Sequence, residues 1–427
     1  MSPARPRRAA TLMRFGGQRR TRSTNSTRPI DSRSSSGRSP SGADRGWLDG
    51  SRSRTMACRH SPGQTKEAPA MASGKVRVGL IGAGWWATYA HIPGLRSHPD
   101  AEITAVARRS PDKLAAVAAR YGIPTAFTDY REMLATVELD AAIVATTHSV
   151  HYEAAKAALE RGLHVLIEKP MTIRPEQARE LVALAAEAGK QIVMSYPFHY
   201  TPHGRAAREA IRGGEIGDVQ LISSLFASNV YSLLKGEEMP EDPEAYPFEP
   251  PARTTYSDPA LTGGGQGQTQ VTHPAAFAFW VTGDEPTSVT ALMANGDLQV
   301  DLCDAIAYRC ASGAIGTIAS TGAAGITHSI GTSSDGRHQH LVFGSRGSLA
   351  VDLERGLLTV KQYGKPERTY EPSSPDDLYP RFAPVQNLVE CALGRQENLS
   401  PGEYGLHSVR LVAGAYRSAA CGQTVDV

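Results

Sequence analysis

A strand that runs into two closely spaced glycines and then straight into a helix restricts this chain more than any other feature. It lies in KVRVGLIGAGWWATYAHIPGL, beginning at Lys75. Val76, Val78, Leu80 and Ile81 read as a strand. Gly82 and Gly84 break it, and Trp85 opens a helical stretch, with the spacing Gly82-x-Gly84-x-x-Ala87. Gly82 permits a tight turn, Gly84 lets the backbone approach a pyrophosphate, and the N–H groups of the helix N-terminus take up its charge. The same pattern alone is a weak signal; after a strand and at the start of a βαβ unit it is a strong one. Gly82, Gly84, Trp85 and Trp86 are therefore candidate dinucleotide contacts.

The strand–helix alternation continues beyond this first unit. AEITAVARR is a second strand, and Ser110-Pro111 supply an N-cap and a first-turn proline for the helix DKLAAVAARYG, closed by Gly122. DAAIVAT, HVLIEKP and QIVMSY are further strands, separated by the helices SVHYEAAKAALERG and RPEQARELVALAAEAG. Alternation of this kind predicts an α/β Rossmann domain, a doubly wound parallel sheet, over residues 75–196. After Tyr196 the pattern changes to strands joined by Gly, Ser and Asp turns, among them DVQLISSLFAS, LCDAIAYRC and GSLAVDL. Residues 197–427 are therefore expected to form an α+β domain with a large, mostly antiparallel open sheet. Residues 235–260 read as a surface loop. The last helix, Tyr404 to Ala420, is expected to bury Leu406, Val409, Ala413 and Tyr416.

Composition narrows the function. The 427 residues exceed one ordinary core, and the net charge of +2 hides an asymmetry: +11 over residues 1–74 and −9 over the rest. The first 74 residues, rich in Arg, Ser, Pro and Gly, predict a disordered basic extension. A transit peptide or a basic arm would share that composition; the favoured reading is an extension upstream of a start at Met71. An acidic body argues against nucleic acid as a partner. The five cysteines, Cys58, Cys303, Cys310, Cys391 and Cys421, make no CxxC pair, and no cluster has metal-ligand spacing, so no metal is expected. No apolar run approaches the roughly 18 residues of a membrane span. A cytoplasmic protein fits these features.

Two strand ends carry the chemistry. The second strand ends on Ala107-Arg108-Arg109-Ser110. An Asp or Glu there would bind the 2′-hydroxyl of NAD; guanidinium and hydroxyl groups at Arg108, Arg109 and Ser110 favour the 2′-phosphate of NADP, with NAD possible. The strand in GLHVLIEKP stops on Glu168, Lys169 and Pro170. A salt-bridged strand exit is the plain alternative, but ligands of an open parallel sheet bind beyond these carboxyl ends.

Together GLIGAGWW, TTHSVHYEAAKAALERGLHVLIEKP, GGGQGQTQVTHPAAFAFWVTG and HSVRLVAGAYRSAACGQTV resemble the glucose–fructose oxidoreductase/inositol dehydrogenase/rhizopine-catabolism (Gfo/Idh/MocA) family, across nearly all of residues 75–427. The resemblance implies a nicotinamide cofactor and a sugar, polyol or sugar-derivative substrate. It implies that Lys169 binds the reacting oxygen while Glu168 positions cofactor and lysine, with Thr146 and His148 as further cofactor contacts. The family pattern Asp-x-Gly-x-His-x-x-Asp departs here: His273 is kept, but Thr269 and Ala276 replace the aspartates and Val271 the glycine. Lys169 and His273 are the candidate catalytic residues, and His199, Tyr200 and Thr269 join them as candidate substrate contacts. The expected function is an NADP(H)-dependent sugar or polyol oxidoreductase, assembled as a dimer or tetramer through the exposed sheet face. A redox-assisted NAD-dependent glycosidase and a cofactor-sensing regulator are the alternatives.

Overall fold

The computed structural model describes residues 74–427 apart from 240, 325–335 and 373. The expected disordered extension, residues 1–74, lies outside them but for Gly74. Strands β1 (Val76–Ile81), β2 (Ala101–Ala107), β3 (Thr125–Phe127), β4 (Ala141–Val144), β5 (His164–Ile167) and β6 (Ile192–Met194) form one sheet in the order β3-β2-β1-β4-β5-β6. Every pairing in it is parallel. β1, β4 and β5 are almost wholly buried, as helices on both faces of a parallel sheet require. The order reverses between β1 and β4, so the carboxyl ends of β1, β2, β4 and β5 open onto one crevice. Ser110 takes the N-cap position of helix Pro111–Tyr121, but its hydroxyl makes none of the expected capping bonds.

The second sheet has nine strands: β7 (Val219–Ala227), β8 (Pro286–Ala294), β9 (Cys303–Cys310), β10 (Ile315–Thr321), β11 (Arg337–Gly344), β12 (Gly347–Asp352), β13 (Leu357–Gln362), β14 (Arg368–Tyr370) and β15 (Val425–Asp426). Their order is β14-β13-β12-β11-β7-β10-β9-β8-β15. Only β7 and β10 pair in parallel. Burial alternates residue by residue in β9, β10 and β11, so one face is covered and the other open. The covered face meets helix Thr272–Thr282, buried from Thr272 through Val281. That helix is apolar on all sides and gives no 3.6-residue period for the sequence to display.

The last helix spans Gly402–Cys421, and its buried side runs through Ser408, Leu411, Val412 and Ala415. Val409 is buried as expected, but Leu406, Ala413 and Tyr416 are half-buried. Small residues turn this helix. A Cβ on Gly405 would stand 2.8 Å from Met194 Sδ, and one on Gly414 2.1 Å from Val427 Cγ1, so the close approach is on the small side rather than the large one. The chain also returns to the first sheet near its end: Val385, Leu388 and Val389 share a core with Val78 and Leu166, and Met194 N donates to Ser400 O at 2.7 Å. No helix among the described residues is long and apolar enough to cross a membrane.

Candidate active site

The crevice is a cleft of about 1070 Å³, lined by the glycine loop, the ends of β2, β4 and β5, and side chains from the second sheet. Gly82 has φ +91, and a Cβ there would lie 2.3 Å from Ala145 O; only glycine fits this turn. A Cβ on Gly84 would meet nothing within 4 Å, leaving the backbone open toward the cleft. Trp85 and Trp86 stand edge to face, centroids 5.3 Å apart, and both line the cleft. The loop therefore has the shape and the free space a dinucleotide pyrophosphate needs.

Lys169 sits at the exit of β5, joined to Pro170 by a cis peptide bond. Its Nζ donates to Thr269 O at 2.8 Å. Thr269 thus acts through its backbone carbonyl, while its hydroxyl turns away to Gly265 O. That carbonyl lies in a π-helical turn, Gly267–Val271, and Pro274 offers the turn no N–H in return. A second π-helical turn, Ala87–His91, brings His91 Nε2 within 2.8 Å of Glu168 Oε1. Burial pulls the Lys169 ammonium down to about 8, with Glu168 opposing. For Glu168, burial pushes the carboxyl up, but His91, Ser195 and Lys169 together outweigh it and leave it below its ordinary value. The pair is therefore an ionised carboxylate beside a lysine that titrates near neutrality.

His273 reaches the same cleft from helix Thr272–Thr282. Phe226 stacks on it, centroids 6.1 Å apart and planes 16° apart, and its Nδ1 has no hydrogen-bond partner. Burial first, then Lys169 and His199, hold its pKa well below the ordinary value, so the ring is neutral. At the end of β4, Thr146 and His148 line the cleft. His148 Nδ1 lies 3.2 Å from Thr262 O, and burial, His151 and Lys169 keep it neutral too.

His199 and Tyr200 are not brought to the cleft. His199 stacks on Trp280 at 4.6 Å with Nδ1 2.9 Å from Ser400 Oγ, and Tyr200 donates to Asn387 Oδ1 at 3.1 Å. Both are tied to the returning C-terminal segment, at Ser400 and Asn387, instead. The sequence does not mark Phe226, Gln270, Glu354 and Tyr379, which do line the cleft. Glu354 follows β12, and burial, then Asp352, push its carboxyl up to about 7. Such residues come from strand ends and turns with no local pattern. The surface-loop expectation for residues 235–260 also changes. Ala245 and Tyr246 are buried, Trp85 Nε1 donates to Ala245 O at 2.8 Å, and Glu249 and Tyr256 line the cleft. The loop walls the cofactor side of the crevice.

At the β2 exit, Arg108 Nη1 donates to Ala83 O at 2.6 Å, and Nη2 pairs with Glu249. Lys113 Nζ meets the other Glu249 oxygen at 2.8 Å. Arg109 and Ser110 line the cleft here.

A Rossmann sheet with an open glycine loop shares one cleft with a nine-stranded, mostly antiparallel sheet, the architecture of a dinucleotide-binding protein. Residues 76–196 match the oxidoreductase family model with an NAD-binding Rossmann fold, and residues 205–350 match the GFO/IDH/MocA C-terminal domain. The chain belongs to the Gfo/Idh/MocA family. It is 28% identical over 361 residues to 1,5-anhydro-D-fructose reductase of Ensifer adhaerens, covering 82% of this chain and 98% of that protein. It is 34% identical over 157 residues to D-glucoside 3-dehydrogenase of Escherichia coli, covering 36% of this chain and 44%, under half, of that relative. The structure of levoglucosan dehydrogenase with NADH and levoglucosan shares the fold, with a TM-score of 0.67 at 21% identity over 83% of this chain and 99% of that one.

Proposed function

We propose that this chain is an NADP(H)-dependent oxidoreductase that moves a hydride between nicotinamide and a hydroxyl or carbonyl carbon of a sugar, polyol or sugar derivative. The observation that carries the reading is the position of Lys169, with Nζ 2.8 Å from Thr269 O, in the same cleft as the glycine loop and His273; burial lowers its pKa to about 8. The relatives' names support the substrate class. Bound nicotinamide would supply the hydride acceptor or donor. Lys169 as free amine takes the hydroxyl proton during oxidation, and as ammonium returns it during reduction. Glu168 steadies the lysine's charge. His273, neutral and without the family carboxylate, orients substrate by hydrogen bonding. The Arg108-Arg109-Ser110 exit of β2 supports NADP(H). Purified protein incubated with NADP⁺ or NAD⁺ and a panel of sugars, inositols and glycosides should form reduced nicotinamide with at least one member. Release of free sugar from an aryl glycoside without net cofactor reduction would count against this reading.

His273→Ala is expected to raise the Michaelis constant for sugar more than it lowers turnover, since a hydrogen-bonding orienter acts mainly on binding. Steady-state kinetics at saturating cofactor check this; a loss confined to turnover would make His273 the proton shuttle.

The open face of the second sheet supports homo-oligomerisation. Ile315 and Phe343 both pair with Leu221, and with Leu225, Leu292 and Leu341 they leave large apolar side chains exposed, Leu292 at 77%. A patch of this kind on a soluble chain calls for cover. Light scattering at micromolar concentration should give a dimer or tetramer mass, and Leu341→Lys with Phe343→Lys should shift it toward monomer.

A further inference from the structure

A carboxylate from the second domain stands where the cofactor's adenosine ribose is read. The side chain that closes β2 in a Rossmann fold meets the ribose 2′ position. Here that residue is Arg108, and its guanidinium is held by Glu249, 141 residues further along. Lys113 takes the second carboxylate oxygen at 2.8 Å. Glu249 and Arg108 are only 18% and 14% exposed, so solvent screens the pair weakly. All of these groups, with Arg109 and Ser110, line the one cleft. The segment that carries Glu249 is fixed on both sides: Ala245 O accepts from Trp85 at 2.8 Å, and Thr262 O lies 3.2 Å from His148 Nδ1.

We infer that Glu249 sets the cofactor preference of this protein by supplying, from outside the Rossmann domain, the acid that β2 lacks. The inference rests on the proposed nicotinamide cofactor and refines it. Arg108, Arg109 and Lys113 alone form a basic cluster suited to a 2′-phosphate. With Glu249 in place, a 2′-phosphate must compete with a carboxylate for Arg108 and Lys113 and meets like charge beside it. A 2′-hydroxyl meets no such penalty and has an acceptor to bond. Glu249 thus restrains a preference for NADP that the basic residues would otherwise make strong, and keeps NAD within reach.

The test uses two probes that differ only in the 2′-phosphate, adenosine 2′,5′-bisphosphate and adenosine 5′-monophosphate, titrated calorimetrically at fixed ionic strength. Neither carries nicotinamide, so the result stands apart from whether the chain transfers hydride. In Glu249→Gln, affinity for the bisphosphate should rise about tenfold or more, the scale of one charge-assisted hydrogen bond. Affinity for the monophosphate should hold or fall, because its 2′-hydroxyl loses a charged acceptor. Dissociation constants for NADP⁺ and NAD⁺ should diverge by the same factor. Glu249→Ala, read the same way, guards against an effect peculiar to the amide, and an unchanged melting temperature shows that each variant folds. Equal change for both probes would make Glu249 a structural tie and overturn the inference, as would no change for either.

Discussion

Lys169→Met is expected to lower turnover by about 10²–10⁴-fold, the usual contribution of a positioned acid or base, and to leave cofactor affinity within a few-fold. Methionine keeps the length and apolar stem of lysine, so the cleft stays filled while the amine is lost. The lysine hydrogen-bonds to Thr269 O, not to the glycine loop or the β2 exit where the cofactor's phosphates would lie. Its loss therefore falls on the proton rather than on nucleotide binding. Steady-state turnover with the best sugar substrate, together with NADP⁺ titration of the variant, checks both halves. A variant that keeps more than about a tenth of wild-type turnover would remove Lys169 from the proton path.

The second large effect is acid lability. His148, His151, His199, His273 and His338 are held below the ordinary histidine value, in each case first by burial. Burial also lowers His164, His203 and His407 to about 4 and His340 to about 3. Neither ring nitrogen of His338 has a hydrogen-bond partner, and its titratable neighbours are other histidines that lower it further, so nothing in the fold welcomes a proton there. The sign is set by which state binds the proton first. Unfolded histidine protonates near 6.5. Above that pH the stability is whole. As pH falls below it the unfolded chain gains protons that the folded chain refuses, and stability drains away until the folded values are reached. At pH 5 each histidine titrating at 4 or below withdraws at most about 2 kcal/mol, and four of them together fall within the 5–15 kcal/mol of a typical domain. Asp304, pushed up to about 8 by burial and Asp301, and Glu354, at about 7, act in the opposite direction, but two carboxyls do not balance nine imidazoles. The melting temperature should fall by on the order of 10 °C between pH 7.5 and 5.5. A flat profile over that range would mean that the histidines are hydrated or paired in solution.

How much of the fold and site is legible in the sequence depends on the range of the forces involved. The glycine loop, the βα alternation and the Glu168-Lys169 strand end are set by neighbours a few residues apart, so spacing reveals them. His273 is visible because it keeps its place after three glycines. Thr269 draws notice for its hydroxyl, yet its carbonyl holds Lys169, and a backbone atom leaves no mark on residue type. His199 and Tyr200 resemble pocket residues because they are polar and stand at a domain crossing; buried bonds to Ser400 and Asn387 explain them instead. Arg108 reads in sequence as free for a phosphate, since no local pattern can place Glu249 upon it. Helix Thr272–Thr282, buried all round, has no period to betray it.

In the proposed reaction Lys169 carries the substrate proton, and the pH dependence of turnover in the direction of sugar oxidation tests this most directly. The proton acceptor is the free amine, so wild-type turnover at saturating cofactor and sugar should rise with pH through an apparent pKa of about 8, or lower once an oxidised nicotinamide adds its positive charge beside the ammonium. The residual turnover of Lys169→Met should lack that limb. The same rising limb with the same midpoint in Lys169→Met would show that another group takes the proton, and would contradict the account.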